Sequence, residues 1–160
     1  ALCLGEYLEG GGFDVVYTRK NKSALVGGRF VKKTDMKRRV EIIKKAGAEV
    51  VVSIHLNSFS DRRRKGIQVF FGNDRSKPLA SLMQNVLNEK FNLENAGRNF
   101  SVLKTDKYIL NESPCPAIII ECGFLSNPDD ERNLLDDNYR HRLAQGIYEG
   151  LLLWAFGEGA

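Results

Sequence analysis

The segment AIIIEC at residues 117–122 decides the fold class of this chain, together with a similar run, VVVSIHL, at residues 50–56. Short and nearly continuous apolar runs of this kind predict strands that are buried on both faces, as in a parallel sheet. Helical spacing of apolar residues appears between and after these runs, for example at residues 78–91. Alternating strands and helices predict a single α/β domain with a mostly parallel or mixed sheet flanked by helices.

Further elements follow from local signals on either side of these two runs. FDVVYT at residues 13–18 predicts another strand, and Thr34 is a candidate cap for a helix that runs to Ala46. Asn127, followed by proline and three acidic residues, predicts a helix start. The last predicted helix covers residues 138–156 and carries Trp154 on its buried stripe.

Length and composition bound the class of protein. The chain has 160 residues, is 42% hydrophobic, and carries 24 basic against 20 acidic residues, for a formal net charge of +4. These values predict one folded domain over residues 1–160 and exclude disordered, collagen-like and coiled-coil chains. No apolar run approaches the roughly 20 residues of a transmembrane helix. The three cysteines cannot all pair with one another, and none has the spacing of a zinc motif.

Each buried run leads into a polar residue that can carry chemistry: VVVSI at residues 50–54 is followed by His55, and AIII at residues 117–120 is followed by Glu121. The carboxyl ends of parallel strands meet at one edge of a sheet. A buried carboxylate without a partner is costly, so Glu121 requires a cation, a metal or a hydrogen-bonding substrate. An imidazole that holds zinc and a carboxylate that moves protons to and from a metal-bound water suit metal-assisted hydrolysis.

Simpler interpretations of the same residues remain open at this point. His55 can be an edge histidine bonded to a backbone carbonyl, and Glu121 can pair with Arg19 or Arg98. His141 lies between two arginines on a charged helix face, which predicts a solvated side chain.

Two basic segments suggest an anionic partner. Residues 29–45 carry eight basic and two acidic residues, and residues 62–65 read RRRK just beyond His55. Such a charge could attract an anionic polymer, either cell-wall glycan-peptide or nucleic acid. The sequence contains no aromatic RNA-binding motif, zinc finger or helix-turn-helix pair, so no nucleic-acid partner is predicted.

Three segments resemble one enzyme family. SIHLNS at residues 53–58 resembles the S-I-H-x-N segment of the zinc-dependent N-acetylmuramoyl-L-alanine amidases of the amidase type 3 family. IECGFLSN at residues 120–127 resembles that family's E-x-G-F-L-S-N segment, and VYTR at residues 16–19 resembles its strand ending in Thr-Arg. The His-Leu-Asn variant is similar to the spore-cortex (CwlD-type) amidases.

The resemblance implies a six-stranded α/β fold with one catalytic zinc, His55 as a zinc ligand and Glu121 as the catalytic carboxylate. The implied reaction is hydrolysis of the amide between N-acetylmuramic acid and L-alanine of peptidoglycan, in spore cortex maturation or germination. It also implies an extracytoplasmic location, in the cell wall or spore envelope, and a possible activator protein. The alternatives are an inactive wall-binding module of the same fold and, less favoured, a nucleic-acid binder.

The resemblance also implies two further zinc ligands. In the family these are a histidine after the first strand and a glutamate at the start of the first helix. The sequence opens inside what would be that helix, so we expect both ligands, and the first strand, to lie upstream of Ala1. Glu6 and Glu9 fall near the helix end and do not match the glutamate ligand.

Overall fold

Helices and strands alternate along the chain, as the apolar runs predict. The computed structural model describes residues 1–20 and 31–157, so most of the basic segment between residues 19 and 33 lies outside the described residues. The strands are β1 (Val51–Asn57), β2 (Gln68–Phe71), β3 (Leu103–Lys104) and β4 (Ala117–Phe124). The helices are α1 (Leu2–Gly10), α2 (Lys32–Ala46), α3 (Lys77–Leu87), α4 (Leu93–Ala96), α5 (Tyr108–Glu112), α6 (Pro128–Leu135) and α7 (Asp137–Phe156).

The four strands of the described residues form one mixed sheet in the order β1-β4-β2-β3. β1 and β4 are parallel, β2 runs antiparallel to β4, and β3 is parallel to β2. The strand predicted from AIIIEC is central and the strand predicted from VVVSIHL lies beside it. This arrangement confirms the α/β class with a mixed sheet.

Alternation along β4 divides the core into two layers. Ile118, Ile120 and Cys122 belong to the larger apolar cluster, which α1, α3 and α7 cover. Ala117 and Ile119 belong to a smaller cluster, which is covered by side chains of α2 and α5. Successive residues of a strand face opposite sides, so Glu121 lies on the thinner side of the sheet, beyond the last apolar residue of that layer.

The strand predicted at residues 13–18 is wrong. These residues form no ladder with any other described strand, since β1 pairs with β4 on one side only. Side-chain contacts hold the segment instead: the ring of Phe13 meets those of Tyr148 and Phe156 at centroid distances of 6.4 and 6.1 Å. An extended apolar sequence becomes a strand only where a neighbouring strand accepts its backbone hydrogen bonds.

Two helix boundaries differ from the prediction. α2 begins at Lys32, with Val31 at the cap position, so Thr34 lies within the first turn and makes no capping bond. Lysine is a good helix former, which lets the helix extend backward past the expected cap. The predicted helix at residues 78–91 is α3 followed by a wider π-helical turn, Asn88–Asn92.

Other helix ends follow the prediction. Gly47 ends α2 in the left-handed conformation with φ of 61°. The Asn127 side chain accepts hydrogen bonds from the backbone N–H groups of Asp129 and Asp130 and so caps α6. α7 covers the expected range, and Tyr139, Leu143, Ile147 and Leu151 are buried along it. Across the described ranges, no helix combines the length and the apolar character that membrane crossing requires.

Trp154 is only partly buried, against the expectation that it lies fully on the buried stripe. Replacement of a fully buried tryptophan by alanine costs about 3–5 kcal/mol. We expect Trp154→Ala to lower the free energy of unfolding by about 1–3 kcal/mol, because part of the ring stays in water in the native state. Leu153→Ala, at an exposed neighbouring position, is the control and should change stability by less than about 0.5 kcal/mol in urea unfolding. Equal costs for the two variants would contradict the partial burial.

Candidate active site

His55 and Glu121 are brought together by the register of the two central strands. They are direct partners in the parallel β1–β4 pair. Their side chains point to the same side, and His55 Nδ1 lies 3.9 Å from Glu121 Oε1. The carboxyl ends of β1 and β4 therefore place an imidazole and a carboxylate at one edge of the sheet, as the two sequence runs predicted.

The imidazole of His55 is half-exposed, and its surroundings disfavour the protonated form. Its side chain is 48% exposed, and Nε2 lies 3.0 Å from the hydroxyl oxygen of Ser53. The partner of the imidazole is therefore a side-chain hydroxyl and not the backbone carbonyl of the simpler interpretation. Burial lowers the pKa of His55, and the positive charges of Arg39 and Lys107 lower it further. A neutral imidazole keeps a lone pair that can bind a metal ion.

Glu121 is the less exposed partner, with 17% of its side chain accessible. Its Oε2 is buried and has no hydrogen-bond partner among the described residues. Burial raises the pKa of the carboxyl group, whereas the charge of Lys107 acts in the opposite direction. A buried acceptor without a partner costs free energy, so this atom is suited to a proton, a metal-bound ligand or a substrate group.

The alternative pairings of Glu121 do not form within the described part of the chain. Its Oε1 lies beside Nδ1 of His55, and neither Arg19 nor Arg98 forms an ion pair with it. The guanidinium of Arg98 lies instead over the ring of Phe100, 4.5 Å from the centroid. The carboxylate of Glu121 thus faces the histidine and not an arginine. Its negative charge is therefore not neutralised by an ion pair with either arginine, and the group can accept a proton.

A buried aspartate fixes the end of β4 beside Glu121. Asp130 Oδ2 accepts hydrogen bonds from the backbone N–H of Phe124 at 2.8 Å and of Gly66 at 2.9 Å. Gly123 has φ of +146°, and a Cβ there would lie 3.2 Å from the same oxygen. Only glycine combines that backbone conformation with such close approach. Asp130 therefore joins the loop after β1 to the end of β4, a role that the sequence did not predict.

The loop after β1 uses most of its basic residues to hold its own shape. Ser126 Oγ accepts a hydrogen bond from the backbone N–H of Phe59 at 3.0 Å. The cations of residues 62–65 have partners within the protein: Arg62 with the Ser126 carbonyl (3.1 Å), Arg63 with Asp61 (2.9 Å), Arg64 with the ring of Phe59 (4.0 Å) and Lys65 with Asp129 (3.5 Å). These four basic residues therefore help to hold the loop in shape through contacts within the protein. The contacts lie at the surface, so the side chains remain accessible to solvent.

Sequence reasoning missed three further contributors to the site. Ser53 lies two residues before His55, and the alternation of β1 could have placed its hydroxyl on the same side. Arg39 donates to Asp35 at 2.8 Å and to Thr18 at 3.2 Å while its charge acts on His55. Neither Arg39 nor Lys107 carries a local signal of proximity to His55, because each comes from a distant segment of the chain.

The donor groups near His55 are fewer than a complete metal site requires. Within the described residues, His55 and Glu121 are not joined by a third histidine, cysteine or carboxylate. The single three-donor cluster in those residues lies elsewhere, at Cys3, Glu6 and His141. A catalytic zinc usually has three protein ligands, so the edge of this sheet supplies part of one such set.

Comparison with known proteins places this geometry in context. The N-acetylmuramoyl-L-alanine amidase family model (Amidase_3) matches residues 1–152. The germination-specific N-acetylmuramoyl-L-alanine amidase of Bacillus subtilis is 30% identical over 161 aligned positions, which cover 96% of this chain and 67% of that protein. The probable cell wall amidase LytH of Staphylococcus saprophyticus is 33% identical over 106 positions, 64% of this chain and 34% of that protein. The match thus spans about two thirds of the length of the Bacillus subtilis protein and about one third of the length of LytH.

A solved structure agrees over nearly the whole chain. The CwlD amidase from Clostridioides difficile, solved in complex with the GerS lipoprotein, superposes with a TM-score of 0.88. The two are 32% identical, and the match covers 96% of this chain and 81% of that one. The strand order, the paired His55 and Glu121, and a family match over residues 1–152 lead to one conclusion. This chain belongs to the N-acetylmuramoyl-L-alanine amidase family.

Proposed function

We propose that the protein is a zinc-dependent peptidoglycan hydrolase that cleaves the amide between N-acetylmuramic acid and L-alanine of the stem peptide. The proposal rests on Oε2 of Glu121, which is buried and has no partner among the residues that the structure describes, and on a half-exposed imidazole 3.9 Å from the other carboxylate oxygen. Membership of the N-acetylmuramoyl-L-alanine amidase family identifies the amide bond, and the carboxylate of Glu121 and the imidazole of His55 are groups suited to its hydrolysis.

The residues present fit one side of a zinc site. His55 offers an imidazole, the commonest nitrogen ligand for zinc, and the Ser53 hydroxyl contacts its Nε2 and so restrains the ring. By the family resemblance, the other two ligands would be a histidine and a glutamate. A zinc ion in this place would supply Lewis-acid polarisation of the scissile carbonyl and a lower pKa for the attacking water.

Glu121 has the position and the environment of a proton carrier. As the carboxylate it accepts a proton from water, whose oxygen then bonds to the amide carbon. When the carbon–nitrogen bond breaks, the same carboxyl group returns that proton to the leaving nitrogen of L-alanine. Burial favours the protonated form and so brings its proton affinity closer to that of the groups with which it exchanges.

We assign the protein to spore cortex maturation or germination outside the cytoplasm. Support comes from the germination-specific amidase of Bacillus subtilis and from the CwlD amidase of Clostridioides difficile. The latter was solved with a lipoprotein, so we also propose a protein partner of that kind for this chain. Peptidoglycan is the substrate in this proposal, and no nucleic acid takes part.

Purified peptidoglycan provides the direct test. The complete protein, loaded with zinc, should release new amino termini belonging to L-alanine and leave glycan strands with free lactyl carboxyl groups. Spore cortex and vegetative wall should be compared in parallel, since faster release from cortex material is expected for a cortex enzyme. Binding to either polymer without any release of amino termini would instead identify a wall-binding module and refute the proposed reaction.

His55→Ala tests the ligand assignment separately from catalysis. We expect fewer zinc ions bound per chain and an affinity for zinc that is lower by roughly tenfold or more. Loss of a residue that hydrogen-bonds to a metal ligand already costs that much, and loss of the ligand itself should cost at least as much. The measurement is zinc content after dialysis, by elemental analysis, and the control is Ser53→Ala, which keeps the ligand but loses its hydroxyl contact. Unchanged zinc stoichiometry in His55→Ala would remove this residue from the metal site.

A further inference from the structure

A cluster of three side chains, on the face of the sheet that α1, α3 and α7 cover, has no part in the proposed hydrolysis. Cys3 and Glu6 lie one turn apart on α1, and His141 lies on α7, which packs against α1. The thiol sulfur, a carboxylate oxygen and an imidazole nitrogen all lie within 4.8 Å of one another. Cys3 is partly buried against the core, whereas Glu6 and His141 are exposed, so a solute ion can reach the group.

One ring contact restrains His141 and leaves the donor atoms unoccupied by other described residues. The ring of Tyr7 meets the imidazole of His141 edge-on, with centroids 6.2 Å apart. No other described residue forms a hydrogen bond or ion pair with the three donor groups. The arginines on either side of His141 are directed elsewhere: Arg140 to the carbonyl of Leu134 at 2.8 Å, and Arg142 over the ring of Tyr139. No described cation therefore takes the place of a metal between these donors.

We propose that Cys3, Glu6 and His141 form a second metal site, for a divalent transition metal of the zinc class, that links α1 to α7. Thiolate and imidazole donors favour zinc over magnesium or calcium, which prefer oxygen ligands alone. Ligand distances of about 2.0 to 2.3 Å require the three donors to move closer together, by a small rotation of the exposed Glu6 and His141 side chains toward Cys3. The thiol proton passes to solvent when the metal binds, and water completes the fourth position.

The site differs from the one at His55 in the chemistry of its donors, and this difference provides a specific signal. The proposed catalytic set contains no cysteine, and Cys115 and Cys122, the other two cysteines, are buried. Only binding at Cys3 should therefore give the near-ultraviolet charge-transfer absorption of a cobalt–thiolate bond. The site is independent of the proposed function, since loss of hydrolysis would leave this absorption unchanged.

Titration of the reduced, metal-free complete protein with Co²⁺ and then Zn²⁺ tests the proposal. We expect thiolate absorption with Co²⁺, its displacement by Zn²⁺, and its loss in Cys3→Ser. Glu6→Gln and His141→Ala should weaken Co²⁺ binding at this site by roughly tenfold or more. His55→Ala and Glu9→Gln, which changes another exposed glutamate of α1, are matched controls and should keep the absorption.

A thermal measurement gives a second result that does not depend on the spectrum. Zinc at about one hundred times its dissociation constant should raise Tm of the His55→Ala protein by about 5–10 °C, because the metal binds only the folded pairing of α1 with α7. The same rise should be absent when Cys3→Ser is added. Absence of thiolate absorption in the parent protein, or its persistence in Cys3→Ser, would overturn the proposed site.

Discussion

Glu121→Gln is expected to lower kcat for peptidoglycan hydrolysis by about 10²- to 10⁴-fold while leaving zinc bound. The amide has nearly the shape of the carboxylate but cannot accept and return a proton, and general acid–base catalysis contributes an effect of this size. The structure gives the reason for choosing this residue: its Oε2 is buried without a partner among the described residues and faces the edge that also carries His55. The measurement is the release of L-alanine amino termini, together with zinc content, in the complete protein.

Stability provides the check that Glu121→Gln acts on chemistry. Removal of a buried negative charge whose Oε2 has no hydrogen-bond partner in the described part of the chain should not destabilise the fold, so Tm should equal or exceed that of the parent. Glu49→Gln, the same change at an exposed position before β1, should leave both kcat and zinc content unaltered. Turnover of Glu121→Gln equal to that of the parent would remove this residue from the proposed mechanism.

Asp130→Ala is expected to produce the largest loss of stability among the variants considered. The carboxylate accepts buried hydrogen bonds from the backbone of Phe124 and of Gly66, and alanine would leave both N–H groups without a partner. Each buried unsatisfied group costs about 1–3 kcal/mol, so the free energy of unfolding should fall by about 2–6 kcal/mol. Urea unfolding of the parent and variant measures this difference.

Two neighbouring substitutions separate the hydrogen bonds of Asp130 from other effects. Asp130→Asn keeps an acceptor oxygen in the same place and should lose much less stability than Asp130→Ala. Asp129→Ala removes an exposed carboxylate from the same turn of α6 and should cost less than about 1 kcal/mol, as surface ion pairs do. If all three variants unfolded alike, Asp130 would not be the link between the loop after β1 and the end of β4.

Local patterns were informative where one segment decides its own structure. The apolar runs that end in His55 and Glu121 predicted buried strands with polar residues at their carboxyl ends, and these strands are adjacent and in register. The Asn127-Pro128 pair predicted the start of α6, because capping involves only neighbouring backbone groups. The family resemblance added roles for His55 and Glu121, and those roles stay predictions until the variants are measured.

Patterns failed where a segment depends on what lies beside it. Residues 13–18 have the composition of a strand, but no described strand pairs with them, and the ring of Phe13 packs on α7 instead. The Cys3–Glu6–His141 cluster could not be found from spacing, since its members are brought together by the packing of α1 on α7. The same reason hid the link that Asp130 makes to Gly66, which lies 64 residues away along the chain.

The sequence by itself determined the α/β class, the two central strands, and the pair of side chains at their carboxyl ends, because strand burial and alternation are properties of short segments. Only the tertiary structure decided the environment of that pair. Burial raises the pKa of Glu121 and leaves one of its oxygens without a described partner, while Arg39 and Lys107 act on the neighbouring imidazole. Those effects fall off with distance in space, and distances between remote segments of a chain are set only when its helices and strands pack together.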